Sequence, residues 1–458
     1  MTRELFRLAW PVFIAQLAAV GNSVVDTVMA GRLSAVDLAA VSLGASVYVS
    51  VYIGLMGVLL ALAPMVARHW GAGRMDQIAG DVRQGVWLAL GLSLIGCPLI
   101  AARELWFSFA APPPAVAEAA GDYLLAIAAA LPAALLFRVF YALQNGLGQP
   151  RVIMVILLGS LVLKIALNGL FLWGGQALGL PFIRPLGGAG CALATAIVAW
   201  ASLAAALMLV ARDPQYRQLG LWPWRLGWPE RPRLRELLRQ GLPTGFSYLI
   251  EVTSFTFVAL FIAGFGAITS ASHQIVSNLA ALVYMVPLAI ANATSTLTAR
   301  ALGANEPEQA KRASRVGLCV ALAIGSVISA TILSASQAIA GAYSNDPQVV
   351  AAALPLMIWI AAFHLFDAAQ AVLSFSLRAY QVASLPMLIY AGSLWGIGLG
   401  GGAWLTFSEP FGAANQRING ALGFWMATTA GLAVAAIALG LLQWQVWRRP
   451  DRFAGGLR

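Results

Sequence analysis

Glu251, Asp367 and Asp26 are carboxylates set in stretches of sequence otherwise nearly free of charge. Around Glu251 the chain reads FSYLIEVTSF, with Ser247 a turn before the acid and Ser254 a turn after it. On a helix these line one face as a hydroxyl stripe. Asp367 lies in FHLFDAAQAVLS, with His364, Gln370 and Ser374 near its face. Asp26 closes the run NSVVD, and Asn22 precedes it by one turn. Lys164 and Asn168 lie four residues apart, as do Gln274 and Asn278. An ionised side chain at lipid depth costs at least ~2.5–3.5 kcal/mol on insertion scales. Such a group faces a water-filled cavity, pairs with a partner or does chemistry. A proton, a Na+ ion or a lipophilic cation can each neutralise a carboxylate so placed. We therefore expect cation binding or proton coupling at Glu251, Asp367 and Asp26, with Glu251 and Asp367 supplying the oxygens if the ion is Na+.

Structural roles compete with these. Glu251 and Asp367 could be hydrogen-bonded glue between helices, and Gln274 and Asn278 could be packing contacts of the same kind. Lys164 could snorkel or pair statically, for instance with Asp26. Arg138 is expected to snorkel, His364 to tune Asp367, and His273 to lie near the outer interface without a role. The polar-cavity candidates are Asn22, Asn168, Lys164, Ser247, Ser254, Gln274, Asn278, His364 and Gln370.

The elements that must position these groups follow from composition. Of 458 residues, 60% are hydrophobic and only 10% are charged, against roughly a quarter in soluble domains. Mean hydropathy is +0.80. Too little charge is present to cover a water-exposed surface, which excludes a soluble enzyme and a disordered chain. The chain reads as an all-α polytopic membrane protein, because a hydrocarbon core ~30 Å thick takes ~20 apolar residues per helix. Twelve transmembrane helices are expected near 8–30, 38–67, 84–102, 120–142, 152–173, 187–211, 242–264, 271–299, 314–340, 349–377, 384–405 and 421–447. The first run is too long for a signal-peptide core and reads as a retained span. The organisation expected is a six-helix bundle over 1–211, a basic cytoplasmic linker over 212–241, a second six-helix bundle over 242–448 and a cytoplasmic tail over 449–458.

With both termini in the cytoplasm, 22 of the 28 Lys and Arg residues fall on that side and four on the other. The asymmetry orients the chain and accounts for the net charge of +10 without nucleic acid. Trp222, Trp224 and Trp228 lie among the linker arginines and read as an amphipathic segment at the headgroup level. An internal repeat relates the halves. At an offset of 232, Pro11 meets Pro243, Arg83 meets Arg315, Gly85 meets Gly317, and VARHWGAG meets TARALGAN. Six spans return the chain to its starting side, so the halves run in the same sense, a transporter architecture.

No Walker loop, HExxH or CxxC motif is present, so no ATP, no cofactor and no catalysis are expected, and active transport would draw on an ion gradient. Cys97, Cys191 and Cys319 have neither paired nor metal-ligand spacing and read as small buried apolar side chains.

The opening LFRLAWPVFIAQLAAVGNSVVDTVMAGRLSAVDLAAVSLG resembles the first two helices of the multidrug and toxic compound extrusion (MATE) family. The likeness continues through LAPMVARHWGAGR, LQNGLGQPR and KIALNG, and resumes at LLRQGLPTGFSYLIEVTSF, ASHQIVSNLAALVYMVPLAI and FDAAQAVLSFSLRAY. The Glu in the seventh span points to the NorM-like branch. The resemblance implies two six-helix bundles forming a V, in a bacterial inner membrane. It also implies efflux of cationic, amphipathic drugs and dyes by a monomer, coupled to inward Na+ or H+. Glu251 and Asp367 match the family's C-lobe carboxylates, Asp26 its N-lobe carboxylate, and Asn168 an N-lobe polar position. Phe363 stands where some relatives have Tyr, which removes one oxygen ligand and leaves the ion open. The alternative is a lipid-linked oligosaccharide or polysaccharide flippase of the same superfamily, which would need several cavity cations where only Arg138 and Lys164 are available. A membrane-embedded enzyme would need a His-Asp pair, for which His364 and Asp367 are the only neighbours.

Overall fold

The computed structural model describes residues 1–110, 112–175, 184–223, 227–408 and 420–448. Trp224, Arg417 and the 449–458 tail, all used in the sequence reading, lie outside the described residues. The described residues form helices joined by turns and short links. The chain divides into two compact units, Pro11–Gly245 and Met1–Trp10 with Phe246–Arg458. Each has its own apolar core.

The first unit carries most of α1 (Thr2–Gly31), then α2 (Ala35–Leu59), α3 (Leu62–Gly71), α4 (Met75–Ala101), α5 (Arg103–Ala110), α6 (Pro114–Ala128), α7 (Ala130–Gly146), α8 (Pro150–Trp173), α9 (Gly188–Arg212), α10 (Pro214–Gln218) and the start of α11 (Arg231–Ala263). The second continues α11 and adds α12 (Ala267–Gly303), α13 (Pro307–Ser334), α14 (Ser336–Tyr343), α15 (Pro347–Ala379), α16 (Ser384–Tyr390), α17 (Gly402–Phe407) and α18 (Ala421–Arg448). Among the described residues ten helical stretches are long and apolar enough to cross a membrane, and the bent pair α6–α7 makes an eleventh. The expected span at 384–405 is helical from end to end but changes register. Ala391–Gly401 is a π-helix between α16 and α17. Large apolar side chains such as Leu94, Val162 and Val327 stand exposed, as lipid-facing surface requires.

Two expected spans are broken by proline. Pro132 has no N–H for the Ala128 carbonyl, and the chain bends by 40° between α6 and α7. The freed carbonyls find other donors. Cys97 Sγ lies 3.4 Å from Ala128 O, and Trp200 Nε1 donates to Ala129 O at 3.0 Å. Pro64 acts similarly between α2 and α3, where Leu60 N bonds Gly57 O in a tighter turn. Cys97 is thus a half-buried donor and Cys319 is exposed; only Cys191 is the buried apolar thiol expected of all three.

The described part of 212–241 packs within the first unit, and the division between the units falls at Gly245–Phe246 inside α11. Tyr216 is buried and its hydroxyl accepts from Gln144 Nε2 at 2.7 Å. Arg83 donates to Gly220 O at 3.0 Å, and Trp87 to Gly227 O at 3.2 Å. Arg233 reaches Asp81 at 3.4 Å and Glu230 at 2.7 Å. α4 supplies donors to the carbonyls of this segment through Arg83 and Trp87 and an acceptor to Arg233 through Asp81, which ties it down.

The repeat is visible in the backbone. α3 ends with Gly73 at φ 70° and Arg74 N bonded to His69 O at 3.0 Å; α12 ends with Asn305 at φ 60° and Glu306 N bonded to Ala301 O at 2.9 Å. These are one helix stop made twice, 232 residues apart, with a left-handed residue closing the last turn. The stop recurs after α7 and α15, where Gln149 N meets Gln144 O and Val382 N meets Leu377 O. Gly85 and Gly317 also serve alike: a Cβ would press on Leu62 at one and strike Thr294 at the other.

Gly431 lets α18 lie against the π-helix. A Cβ there would strike the Ser393 carbonyl and come within 3.2 Å of Gly398 N, whereas one on Gly440 of the same helix meets only Leu373 at 3.8 Å. Gly431→Ala is expected to cost about 1–3 kcal/mol by overpacking against backbone, and Gly440→Ala to be neutral or slightly stabilising. Unfolding of both variants in detergent, followed by tryptophan fluorescence, checks the difference.

Candidate functional site

Two polar clusters are built, one in each unit. In the second, α15 is capped by Asp346, which accepts from Gln348 N at 2.8 Å, and starts with Pro347. The helix is buried almost continuously from Phe363 to Ala379. Asp367 is 5% exposed. It accepts from Gln370 Nε2 at 2.9 Å, and the Gln370 carbonyl accepts in turn from the Tyr390 hydroxyl. Glu251 on α11 lies within electrostatic range of Asp367 and of Arg378, and Tyr284 on α12 within electrostatic range of both acids. Arg378 is buried, donates to Ser374 Oγ at 3.3 Å and stacks on Phe375 at 4.3 Å and Tyr248 at 5.2 Å. Two carboxylates, an amide, phenols and one guanidinium thus share one region, with Asp367, Gln370, Tyr390 and Arg378 buried and Glu251, Tyr248 and Tyr284 half-buried. Among the described residues no three His, Cys, Asp or Glu side chains gather as a metal site. A small cation here would rely on the two carboxylates with amide and phenol oxygens.

In the first unit, α8 is amphipathic in reverse: Ser160, Lys164 and Asn168 are buried while Val155, Val162 and Ile165 are exposed. That pattern turns the polar stripe inward and the apolar face to lipid. Lys164 Nζ lies 2.9 Å from Asp26 Oδ1 and donates to Cys191 O at 2.9 Å and to Thr195 Oγ1. Asn168 Nδ2 donates to the same Asp26 oxygen at 2.7 Å. Lys164 is 1% exposed and Asp26 13%.

The chain matches the MatE family model twice, over residues 11–170 and 243–404. Those stretches cover more than half of its length, and their starts lie 232 residues apart. The chain belongs to the MatE family. It is 42% identical to the probable multidrug resistance protein NorM of Aromatoleum aromaticum over 98% of this chain and 95% of that one. It is 37% identical to the Chromobacterium violaceum protein of the same name, over 95% and 92%. An outward-facing multidrug resistance MATE family transporter of the MOP superfamily superposes with a TM-score of 0.85 at 18% identity, over 98% and 97% of the chains. That likeness concerns the fold.

Within this MatE fold the sequence candidates separate. Glu251, Asp367 and Gln370 come together, as do Asp26, Lys164 and Asn168. Ser247 is buried, while Ser254 donates to Leu394 O of the π-helix at 3.3 Å and serves packing. Gln274 and Asn278 are exposed and bond each other at 3.1 Å, so they are not packing glue. His364 is fully buried with neither ring nitrogen partnered among the described residues, so no His364–Asp367 dyad forms. Asn22 donates to Ala18 O at 3.1 Å. Arg138 stacks on Tyr141 at 4.2 Å. Phe363 packs edge-on to Trp425 at 5.6 Å. His273, expected at an interface, is buried; its Nδ1 accepts from Trp425 Nε1 at 3.2 Å.

Sequence reasoning missed Tyr390, Thr195 and Arg378. A tyrosine or threonine in an apolar run gives no warning of its partner. Arg378, four residues beyond Ser374 in the Asp367 motif, did carry a signal.

The ion pair of the first unit yields a stability prediction. Asp26→Asn leaves a buried ammonium without its counter-charge, at an expected cost of about 3–5 kcal/mol. Adding Lys164→Met should restore most of that loss. Unfolding of the single and double variants in mixed detergent measures both.

Proposed function

We propose that the protein is a secondary active multidrug exporter that exchanges cationic, amphipathic compounds for inward Na+ or H+. One observation carries this reading: Glu251, half-buried, and Asp367, buried, are held within electrostatic range of one another, with the Tyr390–Gln370 chain ending on Asp367. Two like charges so placed favour the uptake of a cation, and a proton, Na+ or an organic cation can each serve. The multidrug-resistance names of the relatives agree with it. No ATP is required.

The exchange is competition. An ion bound at the two carboxylates weakens the hold on the drug, and loss of the ion restores it. The ion shifts the balance between inward- and outward-open states only by its differential affinity for them. The protein works as a monomer in a bacterial inner membrane with both termini in the cytoplasm. The flippase alternative has less support, because of the two candidate cavity cations Lys164 is already matched by Asp26.

Glu251→Gln and Asp367→Asn should each abolish the drug resistance conferred on a sensitive host while expression stays at the wild-type level. Dye export at wild-type rates by both variants would end this reading. In proteoliposomes, dye efflux under a Na+ gradient alone, then under a pH gradient alone, identifies the coupling ion.

A further inference from the structure

Beneath the linker the first unit contains a cavity of about 200 Å³. Its walls come from α4, α7 and α9, among them Val86, Phe140 and Ala206, and Leu221 of the linker closes one end. Every lining residue is apolar. Water needs polar partners to occupy such a space and finds none on these side chains. The most exposed residue of the lining is Leu207, at 51%. It shares its face of α9 with Trp200 and Met208, which are exposed too, so the cavity opens where that helix meets hydrocarbon.

Three arginines stand at the linker end of this cavity. Arg83 donates to Gly220 O at 3.0 Å, next to Leu221. Arg217 donates to Ala211 O at 3.5 Å, next to Val210 of the lining, and Arg212 ends α9 just beyond it. Among the described residues none of the three forms an ion pair. Asp213, the acid next to them in sequence, caps α10 by accepting from Gln215 N at 2.9 Å. Trp222 and Trp228 are exposed on the same segment, as suits indoles at the headgroup level.

We propose that this cavity seats one acyl chain of an anionic phospholipid whose headgroup lies against Arg83, Arg212 and Arg217. The chain gains little by exchanging lipid neighbours for apolar walls, because the two are equally apolar. What it supplies is contact atoms for a space that would otherwise lack them. Selection therefore rests on the headgroup. Arginine forks match phosphate oxygens bidentately. The linker lies on the side richest in Lys and Arg, which is the side expected to face the anionic leaflet. A zwitterionic headgroup brings its own ammonium to the same arginines and is disfavoured. Leu221 and Gly220 belong to the linker, so the bound lipid also holds that segment against α4 and α9. The site is separate from the carboxylates and independent of the coupling ion.

The test uses the full chain, purified in dodecyl maltoside and stripped of lipid. It is titrated with dioleoyl phosphatidylglycerol or dioleoyl phosphatidylcholine, and bound lipid is counted by native mass spectrometry. The wild type should hold a single phosphatidylglycerol about tenfold or more tightly than phosphatidylcholine. Arg212→Gln combined with Arg217→Gln should weaken phosphatidylglycerol about tenfold or more and leave phosphatidylcholine unchanged. Ala206→Phe fills the cavity but keeps the arginines, and should abolish the tight site. Glycerol phosphate, the headgroup without chains, should not displace the lipid. Equal affinity of the wild type for the two lipids, or wild-type affinity in the arginine variant, overturns the site. So does wild-type affinity in folded Ala206→Phe, or displacement of the lipid by glycerol phosphate. Should Ala206→Phe fail to fold, the arginine variant, altered only at exposed side chains, decides the matter with the glycerol phosphate competition.

Discussion

Charge in a helix surrounded by lipid has no water to fall back on, so each ionised group must be answered by another group of the protein. That constraint orders this structure. In the first unit a single ammonium meets a single carboxylate at 2.9 Å, with its remaining donors on α9. In the second, Glu251 lies within electrostatic range of Asp367 and of Arg378, and Asp367 leans on a glutamine that leans on a tyrosine. The first arrangement is neutral and closed; the second is short of positive charge. α8 illustrates how the constraint shapes a helix. Its polar residues lie on the buried stripe and its valines and isoleucines face outward, the reverse of a helix in a soluble protein.

Backbone polar groups obey the same rule where the helices break. Pro132 frees carbonyls that Cys97 and Trp200 take up, and the register change at Ala391–Gly401 is met by Ser254 on Leu394 O. Trp395 Nε1 adds a second tie from that segment to Thr253 Oγ1 at 3.1 Å. Irregular backbone is tolerated at membrane depth only where protein groups re-satisfy it. The serine and threonine near Glu251 thus divide their work: Thr253 and Ser254 hold the π-helix, while Glu251 lies toward the acids of the core.

The fold was legible because the lipid constraint is written residue by residue. Twelve apolar runs, the arginine-rich connections and the repeat of VARHWGAG in TARALGAN need no long-range knowledge. The three carboxylates and Lys164 stood out for the same reason, being rare charges in apolar runs. Their partners did not. Thr195 lies 31 residues from Lys164 and Tyr390 lies 20 from Gln370, and a hydroxyl in an apolar run costs too little to attract notice. Arg378 sits in the last turn of α15, where a cation passes for an ordinary helix-end charge, yet aromatic faces pack on it. The π-helix was hidden for a different reason. Its glycine-rich sequence fits an ordinary helix equally well, and the close approach of α18 at Gly431 is a long-range contact that the run itself does not announce.

The repeat and the polar clusters follow different rules. At the offset of 232 that aligns the helix stops, Asp26 falls on Val258 and Glu251 on Ala19. The paired elements are those that set backbone: a left-handed residue after α3 and after α12, and a glycine where α3 meets α4 and where α12 meets α13. A backbone stop depends on local sterics, so two copies of one ancestral unit can keep it while their interiors change. A buried charge depends on a partner from another helix, so it can be gained or lost only together with that partner or at the cost of an unpaired charge. Asp26 with Lys164, and Glu251 with Asp367 and Arg378, are therefore separate solutions raised on one scaffold. They differ in their balance of charge: the first matches one ammonium to one carboxylate, and the second sets two carboxylates near one guanidinium.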